Sequence, residues 1–207
     1  MSKKSGGALE GWPFVGIAAL VVIVSVAAIA LTTVDPVEAV RRAIRFTARS
    51  SVTLFLLAFT ASAAWRFWPN AWTRWQRQNR RYLGVSFAVS HFVHLVAIAA
   101  LGELAPAALA AEANAITWIF GGLAYVFIAA MTFTSFDRTA QMLGPRAWTL
   151  LHTTGAYYVW LIFANSYISR AIMMPEYIPI AALVVFALVL RIAARIARSR
   201  AQQPAIV

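Results

Sequence analysis

Three histidines carry the obvious capacity for metal or proton chemistry in this chain: His91, His94 and His152. All three lie in apolar stretches long enough to cross a bilayer. An ionisable side chain is costly in lipid, so an imidazole kept inside a span has a partner: a neighbouring helix, water or a cofactor. Imidazoles offered from two helices toward a bundle interior form a donor set that can grip a haem iron from both faces. Ser86, Ser90 and His94 recur every four residues and therefore line one face of a helix, with His91 about 60° around it. The same stripe suits hydrogen bonds between helices in lipid. Gly155 and Ala156 follow His152 on roughly its own face, a small-residue groove that fits a porphyrin edge or a second helix.

The elements that position these residues are written in the hydropathy. The chain has 207 residues, of which 61% are hydrophobic and 12% charged. That balance belongs to a polytopic membrane protein. Apolar stretches fall at 12–32, 47–66, 82–102, 115–135, 147–168 and 177–197, each near the ~20 residues of a spanning helix. The expected architecture is an all-α, six-helix transmembrane bundle forming one domain over 1–207. The connections are too short to hold a soluble catalytic domain. The absence of cysteine excludes disulfides, thiolate-ligated haem and iron–sulfur clusters. Neither a G-x-G-x-x-G nor a G-x-x-x-x-G-K-[ST] motif occurs. A redox protein of this kind would draw electrons from an external donor such as a flavin or a quinone.

The net charge of +11 is a matter of topology rather than nucleic-acid binding. Most of the 18 Lys and Arg alternate to one side of the six stretches; Arg41, Arg42, Arg45, Arg49 and Arg170 fall on the other. The excess marks the cytoplasmic side, which places both termini inside. The first connection is discordant, with its four arginines on the outer side. Lys3, Lys4, an apolar run and Ala28-Ile29-Ala30 resemble a signal peptide, but the run is longer than a signal core and reads as a retained helix. Arg49 enters the second stretch either as an interfacial snorkelling residue or as a guanidinium for a propionate or an acidic partner. Trp65, Trp68, Trp72 and Trp75 with neighbouring arginines read as interface anchors, or as a docking surface for an electron donor.

Taken in order, Asp35-Pro36-Val37, Phe46-Thr47-Ala48-Arg49, Arg80-Arg81-Tyr82-Leu83-Gly84, His94-Leu95, Phe133-Thr134-Ser135 and Trp148-x-x-Leu151-His152 resemble the ferric-reductase-like transmembrane family. The likeness covers about 35–195. Within that family it leans toward the MsrQ type, the haem-binding subunit of a periplasmic methionine sulfoxide reductase system. The resemblance implies b-type haem held between the third and fifth spanning helices, with electrons passed to a periplasmic reductase. It assigns His94 and His152 as ligands, with Arg80 where two-haem relatives carry another histidine. Asn165 stands where a second helix-five histidine is expected. His94 lies about 21 Å along its helix from Arg80, and the family alignment sets His152 near Arg80, so one iron between the two histidines is strained. Four arrangements stay open. His91 or His94 holds an outer haem near Asn165; His152 holds an inner haem beside Arg80; a tilt brings His91 to His152; or haem is lost and the fold kept. The last gives a haem-free accessory subunit of a larger membrane complex. A transporter is disfavoured because no Asp or Glu lies mid-span.

Overall fold

The computed structural model describes residues 9–201. Among them are nine α-helices and no strand. They are α1 Gly11–Thr32, α2 Pro36–Phe67, α3 Ala71–Gln78, α4 Arg80–Leu104, α5 Pro106–Glu112, α6 Ala115–Phe133, α7 Asp137–Leu143, α8 Pro145–Met173 and α9 Ile178–Ala201, with a 3₁₀ turn Pro175–Tyr177 before α9. Helix starts follow local chemistry. Asp35 caps α2 through the Val37 amide, with Pro36 as first residue. Asn70 and Thr73 form a reciprocal capping box on α3. Gly144 turns the chain into α8 at φ +75°, a conformation that a side chain would strain.

Five helices, α1, α2, α4, α6 and α9 with its preceding turn, are long and apolar enough to cross a membrane. They mark a multi-pass membrane protein in a lipid bilayer. The remaining stretch of the six expected from hydropathy is α8. It has 29 residues, but Thr149, His152, Thr153, Thr154, Asn165 and Ser166 dilute its apolar character. Its contacts show how it runs. The Tyr158 hydroxyl donates to the Phe120 carbonyl at 3.1 Å, and the Trp148 indole to the Thr134 carbonyl at 2.9 Å. The first half of α8 is therefore antiparallel to α6, and Trp160 ties it to Val184 of α9.

The centre is an aromatic layer. Phe55 of α2 packs 5.3 Å from both Phe87 of α4 and Phe163 of α8, and those two rings are 6.0 Å apart. All three are buried. In lipid, packing and interhelical hydrogen bonds hold such helices together, because apolar burial alone gives no preference for protein over lipid tails. Gly155 shows how close α6 and α8 come: a Cβ there would sit 2.8 Å from the Met131 sulfur. Helix α1 keeps only Val15 and Val22 buried. It is fastened at its start, where the Gly11 amide donates to Asn79 and Trp12 stacks on Phe136 at 5.1 Å.

Candidate functional site

Two polar groupings lie on opposite sides of the aromatic layer. The first joins α2 to α4. The Thr47 hydroxyl donates to the Ala43 carbonyl at 2.7 Å and so accepts from His94 Nδ1, 3.0 Å away. This network assigns the proton to Nδ1 and leaves Nε2 as the free lone pair. Ser90, wholly buried, meets Ser50 at 2.8 Å and Ser51 at 3.0 Å. The stripe foreseen on α4 thus faces protein. Its third member, Ser86, is buried without a partner among the described residues.

His91 sits beside this seam in an aromatic box. Its ring stacks on Tyr125 at 4.9 Å and on His94 at 5.2 Å, and Phe163 meets it edge-on at 5.6 Å. The Tyr125 hydroxyl donates to the His91 carbonyl. His91 Nδ1 is buried and has no partner among the described residues.

His152 is elsewhere. Thr134 donates to the Ala130 carbonyl at 2.8 Å and so accepts from His152 Nε2 at 3.0 Å. Trp148 covers the imidazole at a centroid distance of 4.1 Å. Thr153, the next residue, lines the same cavity as Arg80. His152 therefore belongs to the end of the bundle opposite His94, and its ring turns toward α6. Gly155 also turns toward α6, where Met131 and Phe127 occupy the groove.

The other site expectations are placed plainly. Asn165 is exposed on α8, and no side-chain hydrogen bond is formed by it among the described residues. Arg49 is exposed, with its guanidinium 5.9 Å from the Tyr177 ring centre. Arg74 and Arg77 lie over Trp65, at 5.7 and 5.9 Å, so these members of the Trp–Arg connection partly satisfy one another. No group of three or more His, Asp or Glu able to hold a metal occurs among the described residues.

A bis-histidine haem between α4 and α8 does not fit these positions. The α8 imidazole, His152, is bonded to Thr134 at the end of α6, and between α4 and α8 Phe87 and Phe163 pack at 6.0 Å.

The second grouping is one the sequence reading missed. At the arginine-rich end, Arg80, Arg191, Arg195 and Arg198 surround a cavity of about 240 Å³ with Thr153 and Tyr157. Arg191 is the fixed member: it donates to the Phe59 carbonyl at 3.0 Å and lies 4.1 Å over the Phe59 ring and 4.9 Å over Tyr157. The signal was present. Arg191, Arg195 and Arg198 fall at helical spacing on one face of α9, a pattern that simple anchoring does not require.

Compared with known proteins, the chain matches no family model, no curated protein and no solved structure.

Proposed function

We propose that this protein is a haem-free accessory subunit of a larger inner-membrane complex, built on a ferric-reductase-like order of helices. In this reading α8 is a sixth span and the arginine-rich end is cytoplasmic. The antiparallel run of α8 along α6 and the placement of Arg and Lys support both points. One observation carries the functional reading: His152 Nε2 is bonded to Thr134 under the cover of Trp148. The expected α8 ligand is thus committed to a structural hydrogen bond, and Asn165 supplies no imidazole in its place. Helix α6, with only Ala124 and Ile128 buried, leaves a broad apolar flank for a neighbouring subunit or lipid.

The test is a reduced-minus-oxidised spectrum of the chain purified in mild detergent from haem-sufficient cells. A well-folded, colourless protein that migrates in a larger assembly on native gels is expected. A b-type spectrum lost in His94→Ala would overturn the haem-free reading; migration as a lone chain from native membranes would overturn the accessory role.

A second reading has one observation in its favour. His91 Nδ1 is buried and unpartnered, next to the free Nε2 assigned to His94. A single haem there would make the chain an electron-transfer subunit, supplied by a flavin or quinone and serving a periplasmic reductase. It requires Tyr125 and Phe163 to give up their packing on His91.

A further inference from the structure

The charge balance around the arginine-lined cavity is unusual. The chain has seven Asp and Glu. Glu38 is taken by Arg42 and Arg45, Glu112 by Arg41, and Asp137 by Arg81. None pairs with Arg80, Arg191, Arg195 or Arg198 among the described residues. Four guanidiniums that converge without a counter-charge repel one another, and an anion in their midst relieves that repulsion.

The cavity is built rather than incidental. Its arginines come from α4 and α9, and Ser62 of α2 and Thr153 of α8 add hydroxyl donors. Arg191 is held by a carbonyl and two aromatic rings, so its fork is oriented before any ligand arrives. Planar guanidiniums bind tetrahedral oxyanions through paired N–H donors. The volume of about 240 Å³ lies below the roughly 300–1,000 Å³ of sites for drug-sized ligands, and suits a headgroup rather than a macrocycle.

We propose that this cavity binds a phosphate group, presented by an acidic phospholipid of the adjoining leaflet. Two features favour a lipid over a soluble donor of the same group. The rim residues Ser62 and Thr153 are exposed on the flanks of their helices, which opens the cavity toward the bilayer. Trp65, Trp68, Trp72 and Trp75 cluster at the same end, at the depth where aromatic belts meet headgroups. Basic pockets between helices at such a depth are a known mode of lipid recognition. The inference is independent of whether haem is present, and haem is quantified on the same sample so that a propionate in the cavity is detected.

Native mass spectrometry in mild detergent tests it, with phosphatidylglycerol, phosphatidylcholine and inorganic phosphate as probes. Phosphatidylglycerol should remain bound to the native chain. Affinity should fall about tenfold or more when Arg80→Gln and Arg195→Gln are combined, since each removes a charge-assisted contact. Arg138→Gln with Arg146→Gln changes net charge equally at the same end and should bind like the native chain. Inorganic phosphate that competes at millimolar concentration would show a site for the free anion; lipid binding that it does not displace shows the headgroup as ligand. Equal uptake of phosphatidylglycerol by the native chain and the cavity variant would overturn the proposal. A second measurement needs no variant. Phosphatidylglycerol should shield Arg80 and Arg195 of the native chain from phenylglyoxal while Arg138 reacts freely. Equal labelling with and without the lipid would overturn it as well.

Discussion

The seam between α2 and α4 and the cavity between α4 and α9 are both polar, yet they treat their polar groups oppositely. In the seam, Thr47, Ser50, Ser51, Ser90 and His94 bond one another across the helix contact. In the cavity, four arginines face shared space and only Arg191 has a side-chain hydrogen bond among the described residues. Polarity that closes on itself holds helices together. Polarity left open calls for something from outside. The histidines that look most like chemistry in the sequence belong largely to the closed kind, and the arginines that look like anchors belong to the open kind.

The aromatic layer that separates the two regions gives the largest expected effect. Phe55→Ala removes the ring that touches both Phe87 and Phe163 and should cost about 2–4 kcal/mol through lost packing and the cavity left, read from unfolding in mixed detergent. If haem were excluded only by this packing, the variant would gain b-type absorbance; we expect none. Next, Gly155→Leu drives a side chain into Met131 and Phe127 and should destabilise by about 1–3 kcal/mol as α6 and α8 separate. Fluorescence of Trp148, which bridges these helices, should shift with it. In the seam, Ser90→Val strands Ser51, while Ser50 keeps its bond to the Thr47 carbonyl, and should cost about 1–2 kcal/mol, toward the upper end for hydrogen bonds in lipid. The smallest effect sharpens the contrast. Arg80→Gln with Arg195→Gln should change stability by no more than about 0.5 kcal/mol in lipid-free detergent. A loss as large as that of Ser90→Val would mean that the cavity is closed like the seam.

Five long apolar helices and the polar stripe on α4 were legible in the sequence, because period and composition act locally; the start of α2 at Pro36, eleven residues before its apolar stretch, was not. The partner of each stripe was not. Ser90 and His94 announce an interior face, but nothing in the order of residues says that α2 supplies that interior. His152 is the clearer case. A hydroxyl at Thr134, at the end of α6, claims its Nε2, and that pairing depends on how two helices pack. The spacing of His94 and His152 suggests α4 and α8 as a facing pair, whereas His152 looks to α6. Helix α3 was also hidden, inside a Trp–Arg run whose Asn70–Thr73 cap is a short-range signal overshadowed by the arginines.

The length of α2 bears on the one irregularity in the charge distribution. At 32 residues it measures about 48 Å, while the hydrocarbon slab is about 30 Å thick. Such a rod must lean steeply or stand proud of the membrane. Its first turns hold an ionic cluster, in which Glu38 joins Arg42 and Arg45 and Arg41 reaches Glu112 of α5. Three arginines there share two carboxylates, so the start of this helix presents a cross-linked, half-exposed ionic knot rather than a row of bare positive charges.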